Sequence, residues 1–227
     1  MILKFLRFES EIELGADHVA TLQVEDRQLF ARMVSSLLSE SGEEALEPYA
    51  LWDDDGKQVS SRSSLLVLDA LPTVPLTDRK LLGKLHDRIA RTIADDDVLA
   101  ERVGSAIAVL EELLADRGNE LWGTYDFAAT WDSATLLKSF AFQPRAATDE
   151  PLAERLVNFF ELCADIALRQ TLVLVNAKSF FAENDLELIA EQSFFCGIPL
   201  LLLESWPDET QREWERKTRI DQWFLEN

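Results

Sequence analysis

Cysteine and histidine are scarce in this chain of 227 residues, and each shortage excludes a class of protein. The two cysteines, Cys163 and Cys196, cannot build a disulfide framework, so we expect reduced, buried thiols and a cytoplasmic protein. The two histidines, His18 and His86, stand apart from any motif. Their spacing predicts neither a zinc site nor a histidine-based catalytic triad.

The sequence also lacks a glycine-rich phosphate-binding loop. The Gly83-Lys84 pair is followed by Leu and lies within helical periodicity. The turn after Val175 reads Asn176-Ala177-Lys178-Ser179, with no glycine that would let backbone amides wrap a phosphate. An ordinary strand-to-helix connection is therefore the prediction, and nucleotide binding at Lys178 is the alternative.

Long apolar runs are missing as well. No stretch approaches the roughly 18 apolar residues of a membrane span, and residues 172–175 and 198–203 are of strand length. The first ten residues contain charges and no small-residue cleavage pattern, so we expect a strand there rather than a signal peptide.

Basic residues are outnumbered, with 22 Lys and Arg against 42 Asp and Glu, a net charge of −20 and a pI near 4.4. On average such a chain repels nucleic acid and anionic membranes, because affinity for phosphate comes from clustered Lys and Arg. A nucleic-acid role therefore requires a local basic site, or cations that bridge two acidic partners.

The patterns that are present predict an α/β fold with a helical insertion. Strand signals fill the first 25 residues and recur at 65–68, and a helix is predicted after Asp26. The continuous apolar runs at 172–175 and 198–203, with a helical stretch between them, are typical of central parallel strands.

The middle of the chain predicts helices. Apolar residues recur at helical spacing from about Thr77 to Leu114, which indicates one very long helix or two nearly collinear ones. Residues 152–168 form the predicted partner helix. The fold class is therefore an α/β head of residues 1–76 and 169–227 with a protruding long-helix leg domain of residues 77–168.

One face of the predicted long helix is basic. Four residues fall within about 80° of one another at 100° per residue, with Leu82, Leu85 and Ile89 opposite. They are Lys80, Lys84, Arg88 and Arg91, here called the basic stripe. The stripe predicts a surface that contacts a nucleic-acid backbone; the alternative is a solvated face with an Asp87–Arg91 pair.

An acidic region follows on the same segment. It comprises Glu111, Glu112, Asp116, Glu120, Asp126 and Asp132. Oxygen ligands that converge from a helix end and a loop suit calcium. A solvated acidic surface is the alternative, since the spacing is not that of an EF-hand loop.

Several short segments occur in an order typical of one family. They read MILKF at 1–5, IEL at 12–14, VED at 24–26, VLDAL at 67–71, NEL at 119–121, YD at 125–126, LVLVN at 172–176 and LLLE at 201–204. Over nearly its whole length the chain resembles the type II-A CRISPR-associated accessory protein of spacer acquisition, the Csn-two family.

The resemblance implies a non-catalytic, ring-shaped homotetramer that grips double-stranded DNA ends without regard to sequence. It implies a degenerate P-loop-like α/β head without a nucleotide site, and calcium held by acidic residues of the legs. It also implies action in spacer acquisition beside the spacer integrase and the guide-RNA-directed nuclease of the same CRISPR system.

The sequence departs from the family's pattern at two places, and each departure reduces the number of site residues that the resemblance implies. Trp122 and Thr124 stand where the family has carboxylates, which leaves Glu120 and Asp126 as calcium ligands. A lysine run of the family is replaced here by Arg169-Gln170-Thr171, so Arg169 alone joins the basic stripe as a DNA contact. The alternatives are an acidic protein-interaction scaffold without DNA affinity, a degenerate nucleotide hydrolase or a calcium-dependent nuclease.

Overall fold

The computed structural model describes residues 1–126, 132–145 and 149–226. It divides the chain into two compact units. The first comprises Met1–Pro75 and Ala146–Asn227, and the second comprises Leu76–Arg145.

The strands are β1 Ile2–Phe5, β2 Ile12–Glu13, β3 Val19–Val24, β4 Tyr49–Trp52, β5 Leu65–Leu68, β6 Thr171–Val175, β7 Leu200–Glu204 and β8 Glu215–Ile220. The helices are α1 Arg27–Ser39, α2 Ser61–Ser64, α3 Arg79–Ala94, α4 Asp97–Asn119, α5 Ser133–Ser139, α6 Leu152–Asp165 and α7 Glu183–Cys196.

A parallel five-stranded sheet forms the centre of the first unit, in the order β5-β6-β7-β3-β8. Every residue of β3, β6 and β7 is buried. Burial on both faces of the sheet explains the continuous apolar runs in β6 and β7. The predicted strand–helix–strand unit corresponds to β6, α7 and β7, whose two strands are neighbours. The predicted α/β fold class is confirmed.

The chain start belongs to a smaller antiparallel sheet in the order β2-β1-β4. Ile2 pairs with both Glu13 and Trp52, so β1 lies in the middle. The turn after β4 is closed by a hydrogen bond from Gly56 N to the carbonyl of Asp53, and Gly56 has a φ of 73°. Only glycine adopts that backbone conformation without a steric penalty.

The predicted long helix is two helices. α3 ends before Asp95, and Asp96 caps α4 by accepting a hydrogen bond from Leu99 N. Aspartate at this position satisfies a free amide of the new helix and favours a break. α5 packs against α3 within the second unit.

The division of the chain differs from the predicted one at its second boundary. α6 is grouped with the first unit, where it packs against α7. Its apolar face, including Leu156, Phe159, Phe160 and Cys163, is buried. Hydrophobic burial within the first unit therefore decides the position of α6, and the sequence pattern alone could not show which apolar surface would receive this helix.

Candidate nucleic-acid interface

The basic stripe lies on α3, whose start is fixed by Asp78. The Asp78 carboxylate accepts hydrogen bonds from Lys80 N at 2.9 Å and Leu81 N at 3.1 Å. Such a cap satisfies amides that the first helical turn leaves without partners. All four stripe residues are exposed, as the helical spacing predicts.

The opposite face of α3 holds the helix in its unit. Leu81, Leu85 and His86 are buried there. The Nε2 atom of His86 lies 2.6 Å from the carbonyl oxygen of Phe142, to which it donates. This contact was not predicted from the sequence, because Phe142 is far from His86 along the chain. It orients the helix so that its basic side chains face solvent.

α3 is basic within an acidic chain. It contains five basic residues and one acidic residue, a net charge of +4, where the whole chain carries −20. The fifth base, Arg79, is also exposed and lies outside the predicted stripe. From Lys80 to Arg91 the stripe spans about 16 Å along the helix axis.

Three of the four stripe residues form no ion pair with the acids that the structure describes. Lys80, Lys84 and Arg91 have no ion-pair partner within residues 1–126, 132–145 and 149–226. The Asp87–Arg91 ion pair of the alternative interpretation does not form, because Arg91 Nε donates to the backbone carbonyl of Asp87 instead. These charges are therefore available to an external anion.

In the first unit, by contrast with α3, acidic residues outnumber basic ones and most basic residues are paired. The 42 acidic and 22 basic residues divide into 30 and 13 in the first unit and 12 and 9 in the second. At least nine of the 13 basic residues in the first unit form ion pairs with Asp or Glu. Arg169, the fifth predicted DNA contact, belongs to this unit and is exposed.

The predicted calcium ligands lie near the end of α4. Glu120 follows that helix and forms an exposed ion pair with Arg117 at 2.6 Å. Asp126 is exposed and adjoins residues 127–131, which lie outside the described residues. In the described part of the chain, no group of three or more His, Cys, Asp or Glu is arranged to hold a metal ion. Calcium binding stays a prediction.

The turn after β6 carries a buried ionic cluster that the sequence did not reveal. Lys178 Nζ lies 2.8 Å from Asp208 and 2.5 Å from Glu215, and Arg212 binds the same two carboxylates at 2.5 and 2.9 Å. The Glu215 side chain has no exposed surface. Burial is the largest effect on both acids and acts against their ionisation, but hydrogen bonds from Lys178, Arg212 and nearby threonines together outweigh it and lower the pKa of Asp208 and of Glu215.

This cluster bears on the nucleotide alternative, because the ammonium group of Lys178 is already paired with carboxylates. The junction from β3 to α1 consists of Glu25 and Asp26 alone. Asp26 accepts a hydrogen bond from Leu29 N at 2.7 Å, so a carboxylate occupies the helix N-terminus where a phosphate would bind. Both junctions therefore resemble ordinary connections.

Glu204, the last residue of β7, is buried beside the cluster. Its Oε1 atom accepts a hydrogen bond from Lys178 N at 3.0 Å. Burial raises the pKa of Glu204 to about 7. A carboxyl group that is neutral when buried here adds no net charge to the cluster.

Comparison with known proteins gives a likeness of fold. No family model matches the chain, and no curated protein matches it. The crystal structure of Stu0660 of Streptococcus thermophilus is similar, with a TM-score of 0.55 and 15% sequence identity. The likeness covers 97% of this chain and 75% of that one.

Across the described residues, no helix has both the length and the apolarity needed to cross a bilayer.

Proposed function

We propose that this chain is a non-catalytic, sequence-independent binding protein for double-stranded DNA ends, which works as a ring-shaped homotetramer in CRISPR spacer acquisition. Its partners in this proposal are DNA, further copies of itself, and the spacer integrase and guide-RNA-directed nuclease of the same system. The basic stripe on α3 is the observation that carries the proposal.

The length of the basic stripe suits contact with the phosphate backbone of DNA. Duplex DNA carries one negative charge per roughly 1.7 Å of axis, so a stripe of about 16 Å runs beside several phosphates. Lysine and arginine side chains that contact phosphates fix position but read no bases. Binding through the stripe is therefore independent of sequence and sensitive to salt.

The exposed apolar face of α4 supports self-assembly. None of the residues of this helix is buried, although Ile107, Leu110 and Leu114 recur on one side at helical spacing. An exposed apolar stripe on a long helix is typical of a surface that is covered in an oligomer. Several copies would bring several basic stripes to one duplex, which raises affinity without new contacts in any one copy.

Calcium is proposed as a structural ion held by Glu120 and Asp126. The exposed pair between Glu120 and Arg117 contributes at most about 1 kcal/mol, so it does not keep Glu120 from a metal. A bound Ca²⁺ would supply positive charge between acidic surfaces and so bring acidic copies together.

The structural likeness supports the proposal at the level of the fold. Stu0660 comes from the type II-A CRISPR locus of its species. The order of sequence segments supports the family, and the likeness of fold supports the α/β architecture that the family implies. DNA binding, tetramer formation and calcium binding are inferred for this chain from its own residues and from the sequence resemblance.

An acidic scaffold without DNA affinity is the second candidate. The observation that favours it is the charge of the first unit, where 30 acidic residues face 13 basic ones. This candidate predicts that the chain binds neither linear nor circular DNA at low salt, because the acidic unit would repel phosphates from the whole molecule.

A gel-shift titration at low salt tests the proposal. Linear and covalently closed circular duplexes of equal length are compared, each with calcium and with a chelator. Binding to linear DNA alone, strengthened by calcium, is the expected result. Failure to bind either form contradicts DNA binding, and equal binding of both forms contradicts the end-specific ring.

Charge reversal then tests the stripe. The double variant Lys84→Glu, Arg88→Glu should abolish binding, since it changes the local charge by four units. The matched control is Lys57→Glu, Arg62→Glu, which makes the same charge change at exposed residues of the first unit. Equal loss of affinity in both double variants would show a net-charge effect and remove the stripe as the binding surface.

A further inference from the structure

The outer face of α7 exposes apolar side chains that the first unit leaves uncovered. Leu188 is 41% exposed and Phe195 is 86% exposed. At 100° per residue, Leu188, Glu191 and Phe195 fall within about 60° of one another. The opposite side of the helix is buried and contains Leu186, Ile189, Ala190 and Ser193. α7 is therefore anchored firmly and presents a fixed face to solvent.

Carboxylates are abundant on α7 and on the helix that packs against it. α7 contains four acidic residues and no lysine or arginine. α6, which packs against α7, adds exposed Glu161 and Asp165 near Cys196, where burial first and then these two charges raise the pKa of the thiol. Glu187 and Glu191 are exposed too, and none of these four acids has an ion-pair partner in the described ranges.

The combination of exposed apolar side chains and unpaired carboxylates on this face favours some classes of binding partner over others. Uncompensated carboxylates repel nucleic acid and anionic lipid, and the first unit as a whole repels a second copy of itself. Exposed aromatic side chains are frequent anchors of protein interfaces, and complementary charge around an anchor favours the correct partner. The face therefore fits a protein segment with Lys or Arg around an apolar side chain.

We infer that the outer face of α7 is a docking surface for a basic amphipathic segment of a partner protein, with Phe195 as the anchor. Glu187 and Glu191 on α7, with Glu161 and Asp165 on α6, would receive the basic side chains of that segment. This surface lies on the first unit, whereas the basic stripe lies on the second. Its proposed ligand is positively charged, unlike DNA, so the inference does not rest on the proposed DNA binding.

A model peptide tests the inference on the full chain. The probe is a fluorescein-labelled peptide of Leu and Lys in a helical pattern, about 18 residues long so that it can form a helix when bound. A scrambled peptide of the same composition separates amphipathic docking from simple charge attraction. Affinity is measured by fluorescence anisotropy. We expect the patterned peptide to bind at least about tenfold more tightly than the scrambled one.

Two variants locate the site. Phe195→Ser should weaken binding of the patterned peptide by about tenfold or more, as expected for an anchor. Leu46→Ser removes a leucine of the same unit that is 70% exposed, and it should leave affinity within about twofold. Both side chains are exposed, so thermal unfolding should match that of the wild type.

Three results would overturn the inference. Equal binding of the patterned and scrambled peptides would show charge attraction alone. Unchanged affinity of Phe195→Ser would place the peptide elsewhere. Dissociation of an oligomer by Phe195→Ser, seen by sedimentation velocity, would assign this face to contact between copies of this chain.

Discussion

Replacing Glu204 by Gln should make the protein more stable at pH 8 and leave its stability little changed at pH 5. Glu204 is 2% exposed, and its Oε1 atom accepts the backbone hydrogen bond of Lys178. Glutamine is of nearly the same size and retains an oxygen acceptor at this position. The substitution therefore removes the ability to ionise and preserves the packing and the hydrogen bond.

The magnitude follows from the pKa. Burial raises the pKa of Glu204 from 4.5 to about 7. Between these two values the folded state binds more protons than the unfolded state, so stability decreases as the pH rises. One pKa unit corresponds to about 1.4 kcal/mol, and the whole interval to about 3 kcal/mol. The loss is complete above pH 7, where both states are ionised.

Urea denaturation of both proteins at pH 5 and pH 8 measures this effect. The free energy of unfolding of Glu204→Gln, relative to the wild type, should rise by up to about 3 kcal/mol between the two pH values. The comparison across pH cancels any constant cost of burying the new amide group. Equal differences at pH 5 and pH 8 would refute the reasoning.

A second buried glutamate provides the control. Glu47 is 3% exposed and forms an ion pair with Arg32 at 3.1 Å. Glu47→Gln breaks that pair, so it should be less stable than the wild type at pH 8, by about 1–3 kcal/mol. A stabilised Glu47→Gln at pH 8 would mean that loss of any buried charge stabilises the fold, whatever its environment.

Three further results are expected. Lys178→Met should lower the free energy of unfolding by about 3–5 kcal/mol, because it removes one of the three cations that pair with the carboxylates of Asp208 and Glu215. Unchanged urea denaturation would contradict this. If one stripe makes four phosphate contacts, log Kd should change with log salt concentration with a slope of magnitude about 3.6, and Lys84→Ala should reduce that magnitude by about 1. Leu110→Ser with Leu114→Ser should shift sedimentation towards the monomer, whereas Val98→Ser, an exposed residue on the opposite side of α4, should not.

Much of the fold could be predicted because its signals are local. β6 and β7 are covered on both faces, so residues 172–175 and 200–203 are all apolar, and a run of that kind can be recognised without a structure. The basic stripe is equally local, since residues spaced by three or four positions must share one face of α3. The break between α3 and α4 was harder to place, because it depends on a capping hydrogen bond of Asp96 within otherwise continuous periodicity.

The sequence by itself therefore determined the α/β class, the central strands, the basic helix and the lack of a glycine-rich phosphate loop. Tertiary structure decided which apolar surface receives α6 and which charges are neutralised. Lys178 contacts Glu215 from 37 positions away along the chain, and the buried Glu204 lies opposite Gln23 of β3 and accepts a hydrogen bond from Lys178. Ionic pairing and burial depend on distance in space, which composition and periodicity do not encode.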